Sequence, residues 1–182
     1  MIKLLVLAIL NVKPMSGYDI KLLLEISDTQ RWAGVLPGSI YNALRKLEKD
    51  SYIEIESIEA SGNRQKAIYK ITDSGKKYQT ELVKECLTAN KIHYPTQLYT
   101  GISFADQLPT QEAIDDLQKN KEQLEIEYDI LSKGMDSKKK SMGNRIPELT
   151  QIIFEHMFET VKSQIELIDK TLTILNRQKE ES

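Results

Sequence analysis

The sequence predicts a mainly α-helical protein with one small β-hairpin, organised as a front part and a helical rear part. Only 8 glycines and 5 prolines occur among 182 residues, which is too few for a loop-rich all-β fold. Apolar residues make up 40% and charged residues 29%, a balance typical of a packed core surrounded by exposed helices. The apolar residues follow helical spacing in most segments and alternate near residues 53–71.

The first 26 residues contain two predicted helices. Residues 2–11 are apolar at nearly every position, as in a short helix that is buried on most sides, and Pro14 ends it. Ser16 then occupies an N-cap position with Asp19 three residues later, which is close to a capping box. A second helix is therefore expected from Gly17 to about Ile26.

A third helix is predicted to begin at Pro37, after a polar loop at residues 28–34 that carries the only tryptophan, Trp32. Its apolar residues have the i, i+3, i+4, i+7 spacing of an inward-facing stripe: Ile40, Ala43, Leu44 and Leu47. The opposite face is polar and basic, with Ser39 and Tyr41 near its beginning followed by Asn42, Arg45, Lys46 and Lys49. This helix is expected to bury one side and to present cations on the other.

A β-hairpin and a fourth helix follow. Apolar residues alternate with polar ones at 53–56 and again at 67–71, and residues 61–66 between them are predicted to form the turn. Thr72 to Ser74 provides caps for a fourth helix from about Gly75 to Ile92. Three helices, a hairpin and a further helix form the element order of a winged helix-turn-helix.

This order of elements predicts a protein that binds double-stranded DNA. The third helix is narrow enough for the major groove, where its first-turn amides and outer cations would meet phosphates. Asn42 and Arg45 could pair with adenine and guanine edges, respectively. Arg64 and Lys66, at the predicted tip of the hairpin, could reach the neighbouring minor groove or backbone. For each cation taken singly, the alternative is a solvated surface charge.

The distribution of charge agrees with this interpretation. Residues 1–80 contain 12 Lys and Arg against 9 Asp and Glu, whereas residues 81–182 contain 13 against 18. A basic front part is therefore joined to an acidic rear part, an asymmetry that suits a nucleic-acid partner for the front. The alternative is chance in a chain with so many charges.

Three stretches within residues 2–80 carry a family resemblance. Gly-Tyr-Asp-Ile at 17–20 opens the second helix, residues 36–48 form the third helix with Trp32 upstream, and residues 69–75 end the hairpin. In these stretches the sequence resembles the PadR family of bacterial transcriptional regulators. The resemblance implies a homodimer that binds operator DNA and usually represses transcription. It also implies DNA contacts by these residues: Tyr18, Ser39, Tyr41, Asn42, Asn63, Arg64 and Lys66. For Tyr18 and Tyr41 a packing role is the alternative.

The rear part contains a mixed connection and two predicted helices. Residues 93–110 form the connection, and residues 114–131 follow 3–4 spacing. Residues 134–147 interrupt the pattern, so the three lysines at 138–140 are expected in an exposed loop. The last helix carries three heptads of apolar residues: Phe154, Phe158, Val161, Ile165, Ile168, Leu172 and Leu175.

This heptad seam has two possible partners. It could pack inside the chain against residues 114–131, or across a two-fold axis against a second copy. Additional apolar residues beside the seam favour the second copy: Ile152, Ile153, Met157, Leu167 and Ile174. The resemblance agrees, because many PadR proteins dimerise through a C-terminal helical domain. The expected organisation is a winged helix-turn-helix at 1–92, a connection at 93–110 and an antiparallel helical dimerisation bundle at 111–182.

The function expected from these features is sequence-specific binding of double-stranded DNA. A homodimer would bind an inverted-repeat operator whose half-sites are about one helical turn apart, and would act as a repressor. The alternative is a winged-helix protein-interaction module with weak or no DNA binding. An enzyme is not expected, because the sequence has no Gly-rich phosphate loop and no Gly-x-Ser-x-Gly motif. No cofactor or metal site is expected either, because the single Cys86 and two distant histidines have no ligand spacing.

Three further expectations concern an effector, the cysteine and the cellular location. The aromatic residues Trp32, Tyr94, Tyr99 and Phe104 could line a site for a small aromatic effector, with core packing as the alternative. Cys86 is expected to be a half-buried apolar residue, with a redox-sensing thiol as the alternative. The apolar run at residues 4–10 is too short to span a bilayer and lacks a cleavage pattern, so a cytosolic protein is expected.

Overall fold

The computed structural model describes residues 1–61, 64–89 and 92–181, and it confirms the predicted mainly α fold with one small sheet. The chain divides into two units, Met1–Ile92 and His93–Ser182. The first unit contains α1 (Ile2–Val12), β1 (Met15–Ser16), α2 (Gly17–Ile26), α3 (Thr29–Ala33), α4 (Ile40–Lys49), β2 (Ile53–Ser61), β3 (Arg64–Ile71) and α5 (Asp73–Thr88). The second contains α6 (Thr96–Ser103), α7 (Thr110–Ser141) and α8 (Glu148–Glu180).

The core of the first unit lies between α1, α2 and α4. The predicted apolar stripe of α4 is confirmed, since all four of its residues are at most 3% exposed. They pack with apolar side chains of the other helices and of β2: Val6, Leu7, Leu10, Ile20, Leu24 and Ile53. Burying one face of α4 fixes the direction of its opposite face, which points to solvent.

The sheet of the first unit has three antiparallel strands in the order β1-β3-β2. The strand β1 was not predicted: Met15 and Ser16 pair with Tyr69 and Ile68 of β3, while Ser16 also serves as the predicted N-cap of α2. The predicted turn at residues 61–66 was also too long, because β3 begins at Arg64. Lys66 therefore lies within a strand, opposite Glu59, and not at the tip.

Two other segments of the first unit differ from the prediction. The expected polar loop contains the short helix α3, in which the buried Thr29 hydroxyl donates to the Leu24 carbonyl at 3.0 Å. A 3-10 turn occupies residues 37–39, so α4 begins three residues later than predicted. The N-cap of α5 is Thr72 as expected, but the helix ends at Thr88 and not at Ile92.

The second unit consists mainly of the antiparallel helices α7 and α8. The predicted interruption at residues 134–147 was wrong in its first part, because α7 continues through Gly134 to Ser141; a break before α8 is present at residues 142–147. The three lysines at 138–140 thus lie in the last turn of α7, where cations are favoured by the helix dipole. The expected connection also contains a helix, α6. No helix in the described part of the chain has the length and apolarity needed to cross a membrane.

The heptad seam of α8 packs against α7 within one chain. Val161, Ile168 and Leu175 are at most 8% exposed, and the rings of Phe158 and Tyr128 lie 4.8 Å apart. The other seam residues are half-buried. Of the two partners that the sequence left open, the intramolecular one therefore accounts for the buried side of the seam.

Candidate nucleic-acid interface

The outer face of α4 carries five of the residues that were predicted to contact DNA. Tyr41, Asn42, Arg45, Lys46 and Lys49 are all exposed, because they alternate with the buried stripe at helical spacing. The sixth residue, Ser39, is half-buried just before the helix, and its hydroxyl donates to the Leu36 carbonyl at 2.7 Å. The exposed side of α4 is therefore a continuous polar and cationic surface.

Two residues on this face bond to each other. The Arg45 guanidinium donates a hydrogen bond to the side-chain oxygen of Asn42, one turn earlier. Arg45 keeps its other N–H donors, and Asn42 keeps its amide N–H donors. The amide oxygen of Asn42 thus orients the guanidinium, so the two side chains form one polar group on the exposed surface.

The N-terminus of α2 lies directly against α4. A Cβ on Gly17 would lie 2.9 Å from a Leu44 methyl carbon and 3.1 Å from the Tyr41 ring. A larger residue here would therefore push α2 away from α4. The close approach leaves Tyr18, which is 62% exposed, at the same end of α2. More than half of the Tyr18 side chain is therefore accessible to a partner.

Ser16 and Asp19 cap the same end of α2. The Asp19 amide donates to the Ser16 hydroxyl oxygen at 3.2 Å, and the hydroxyl donates to the Asp19 carboxylate at 2.7 Å. The Asp19 carboxylate also lies 2.8 Å from the Lys66 amine of β3. The Lys66 hydrogen bond, followed by that of Ser16, lowers the pKa of Asp19. The Asp19 hydrogen bond in turn raises the pKa of Lys66.

Two other predicted DNA contacts belong to the wing, which is the hairpin of β2 and β3. Asn63 lies outside the described residues, as does the side chain of Arg64, whose backbone pairs with Ser61 at the start of β3. Lys66 is therefore the one predicted wing cation whose described side chain has a partner. No local pattern indicates that partner, because Asp19 lies 47 positions earlier and the contact depends on β1 pairing with β3.

Two of the candidate effector residues line one cleft of the second unit. Tyr94 and Tyr99, whose ring centroids are 6.1 Å apart, line a cleft of about 660 Å³ with His93 and His156. Phe104 is exposed and does not line this cleft. In the first unit, the Trp32 indole donates to the Ser27 carbonyl at 2.9 Å. No sequence pattern indicated that His93 and His156 line the same cleft, because they are 63 positions apart in the sequence.

The single cysteine does not behave as predicted. Cys86 is exposed on α5 and not half-buried. It follows Leu82 by about one turn on the same side of the helix, but the packing of α5 on the core stops at Tyr78 and Leu82. Within the described residues, no group of His, Cys, Asp and Glu is arranged to hold a metal ion.

Comparison with known proteins agrees with this architecture. Residues 6–81 match the model of the Transcriptional regulator PadR-like family. No curated protein matches the chain. Several solved structures share its fold over nearly the whole length.

Three of these structures illustrate the likeness. The structure of smu.1604c from Streptococcus mutans is 26% identical, with 94% of this chain and 98% of that chain covered and a TM-score of 0.70. Bacillus subtilis PadR in complex with operator DNA is 22% identical, with coverage of 95% and 98% and a TM-score of 0.71. The same protein in complex with p-coumaric acid is 20% identical, with coverage of 96% and 98% and a TM-score of 0.72.

The matched segment contains α2, α4 and the wing, which together hold every predicted DNA contact. This match covers the N-terminal unit, which over residues 6–81 is similar to the Transcriptional regulator PadR-like family.

Proposed function

We propose that this protein is a sequence-specific DNA-binding regulator that represses transcription as a homodimer on an inverted-repeat operator. The observation that carries the proposal is the outer face of α4, where five polar or cationic side chains are exposed opposite a fully buried stripe. A structure of Bacillus subtilis PadR, which has the same fold, contains operator DNA.

Each exposed group has a chemical role in this proposal. With α4 in the major groove, Arg45 donates to a guanine edge, and Asn42 both orients Arg45 and donates to a neighbouring acceptor. Lys46 and Lys49 lie on phosphates, where they displace counterions. The hydroxyl groups of Tyr18 and Tyr41 donate to oxygens of the DNA backbone, and the Ser39 hydroxyl exchanges the Leu36 carbonyl for such an oxygen. Asn63 and Arg64 reach the adjacent groove.

Dimerisation is supported by a second stripe on α8, next to the seam. This open stripe is free of charged residues and consists of Leu149, Ile153, His156, Thr160, Leu167 and Ile174. Leu149, Ile153 and Ile174 are about half exposed or more, which is costly for apolar side chains in water. Because α7 already covers the seam's buried side, we propose that a second copy covers the two ends of the open stripe, at Leu149 with Ile153 and at Ile174, together with the half-buried seam residues Phe154, Ile165 and Leu172. The middle of the stripe, at His156 and Thr160, lines a cleft and is left open in this proposal.

A small aromatic effector is proposed for the cleft beside Tyr94 and Tyr99. The cleft combines two phenol rings with the imidazoles of His93 and His156, which suits an aromatic ligand with a polar substituent. A solved PadR structure contains p-coumaric acid. Titration with p-coumaric acid should give saturable binding that Tyr99→Ala abolishes; binding that is absent, or unchanged in the variant, would contradict this assignment.

The DNA-binding proposal is tested by replacing two cations of α4. Arg45→Ala with Lys46→Ala should abolish retardation of a duplex selected by the wild-type protein from a random library. The matched control is Lys84→Ala with Lys77→Ala, which removes two cations from α5. This control should bind the duplex like the wild type. If the Arg45 and Lys46 variant also binds DNA like the wild type but no longer binds a protein partner, the protein-interaction module replaces the regulator.

A further inference from the structure

Three structural elements meet at the N-terminus of α2. Gly17 contacts α4, since the space for its Cβ is filled by Leu44 and Tyr41. Ser16 is paired with Ile68 of β3, and Asp19 bonds to Lys66 two residues earlier on the same strand. The first turn of α2 is therefore the place where the wing and α4 are connected through side chains.

The contact between Asp19 and Lys66 differs from the surroundings of the other candidate cations. Asp19 accepts one hydrogen bond from the Ser16 hydroxyl and a charge-assisted one from Lys66, at 2.7 and 2.8 Å. In the part of the chain that the structure describes, neither Lys46 nor Lys49 has an acidic partner. Of the four candidate cations whose side chains are described, Lys46 and Lys49 are thus available to phosphate, Arg45 bonds to the neutral Asn42, and Lys66 is already neutralised by Asp19.

We propose that Asp19 and Lys66 form a brace that positions the wing relative to α4, and that Lys66 remains on Asp19 when the protein is bound to DNA. The proposal rests on the DNA-binding function proposed above. It replaces the phosphate or groove contact that the sequence suggested for Lys66.

The electrostatics of the bound state favour the intact brace. Asp19 follows Tyr18 directly, so a duplex that contacts Tyr18 brings phosphates close to the Asp19 carboxylate. If Lys66 moved to a phosphate, it would exchange one anionic partner for another and leave Asp19 facing the DNA with a net charge. Keeping Lys66 on Asp19 avoids this repulsion and preserves the charge-assisted hydrogen bond.

The brace explains how the wing, a hairpin attached to the rest of the unit at its base, keeps its position relative to α4. The wing and α4 must reach different grooves of one duplex, so a shift of the wing lowers affinity for the correct sequence more than affinity for DNA in general. Asp19 and Lys66 act here as positioning residues for specificity.

The experiment compares the salt dependence of binding in matched variants, on the selected duplex and on a mixed-sequence duplex of equal length. In Lys49→Ala, a phosphate contact is lost and the slope of log K against log salt should fall in magnitude by about 1. In the neutral pair Asp19→Asn with Lys66→Met, net charge is conserved, and the slope should equal that of the wild type. Its affinity for the selected duplex should nevertheless fall several-fold, with no change on the mixed duplex.

A single substitution at Asp19 should change the salt slope in the opposite direction to Lys49→Ala. Asp19→Asn releases Lys66 towards phosphate, so the slope should increase in magnitude by about 1 and binding to the mixed duplex should become tighter. The inference is overturned if the neutral pair loses about one unit of slope, as Lys49→Ala does, or if Asp19→Asn leaves the slope unchanged.

An observation without DNA separates this inference from the proposed function. Carbon-detected NMR titration of the wild-type protein should show the Asp19 carboxyl with a lowered pKa, which moves up in Lys66→Met. An ordinary Asp19 pKa in the folded wild type would show that the brace does not form. If the wild-type protein selects no duplex and does not bind the mixed-sequence duplex, the proposed DNA-binding function fails, whatever the titration shows.

Discussion

At the scale of single residues, Arg45 is the most informative position on α4. Its guanidinium is exposed and held by Asn42, so part of its orientation is fixed before any DNA arrives. Pre-orientation reduces the entropy that a long side chain loses on binding, which strengthens the contact it makes. Arg45 should therefore contribute to the choice of base, whereas the neighbouring lysines should contribute to affinity for any sequence.

Arg45→Ala should cost about 1–3 kcal/mol on the selected duplex and relax the base preference at one position in each half-site. Arg45→Lys should not restore it, because an ammonium group cannot donate in the planar bidentate geometry of a guanidinium. Competition binding with duplexes changed at single positions measures both effects. Equal losses on all competitors would place Arg45 on a phosphate.

Asp19 gives a prediction for the pH dependence of stability. Its pKa in the folded protein lies below the ordinary value of 3.8, chiefly because of the Lys66 hydrogen bond. The stabilisation is therefore complete above pH 3.8 and is lost as the pH falls through the lower folded value. Urea unfolding should show wild type more stable than Asp19→Asn at pH 7, with the difference vanishing in acid. Because both groups are partly exposed, added salt should reduce it.

At the scale of elements, the junction between the sheet and α5 depends on one glycine. A Cβ on Gly75 would lie 2.0 Å from the Tyr52 carbonyl oxygen, which is backbone and cannot rotate away. That carbonyl also accepts the Thr72 amide at 3.1 Å. A side chain at this position would therefore separate α5 from the start of β2.

Gly75→Ala should lower the free energy of unfolding by about 1–3 kcal/mol through this overlap. Gly38→Ala is the matched control, since no atom lies within 4 Å of its Cβ position and its stability should change little. Urea denaturation of both variants measures the effect. Equal midpoints for the two would contradict the close packing at Gly75.

The open stripe of α8 gives a prediction about association. Ile153→Glu with Ile174→Glu places charges on the surface where a second copy is proposed to dock, so the variant should be monomeric in light scattering. Thr173→Glu, on the exposed side next to the stripe, should remain dimeric. A wild-type protein that is monomeric at micromolar concentration would exclude the dimer.

The elements that sequence patterns predicted well are those with local causes. The stripe of α4 and the Thr72 cap depend on residues within about two turns, so periodicity and capping identified them. By contrast, β1 exists because Met15 and Ser16 meet β3, more than 50 positions away. Gly34 ends α3, but Gly134 does not end α7, because one glycine costs only about 1 kcal/mol and packing at Leu131 supports the helix.

The candidate site was predictable to a similar extent. The exposed face of α4 follows from its buried face, and the family resemblance added Tyr18. The pairing of Lys66 with Asp19 and the presence of His93 and His156 at one cleft depend on the tertiary fold, which no local pattern indicates. The seam of α8 had two chemically equivalent partners, and only the position of α7 showed which one covers its buried side.

At the scale of the whole molecule, two properties are combined: a cationic helix in the first unit and an uncovered apolar stripe in the second. A dimer formed through the stripe relates two copies of α4 by a two-fold axis, so the bound DNA must share that symmetry. Weak contacts at each half-site then act together, which raises affinity for a paired site over an isolated one.

Selection from a random-sequence duplex library, followed by sequencing of the bound fraction, tests this claim most directly. Wild-type protein should enrich an inverted repeat with half-site centres about one helical turn, roughly 34 Å, apart. Enrichment of a lone half-site, or recovery of no preferred sequence at all, would contradict the account.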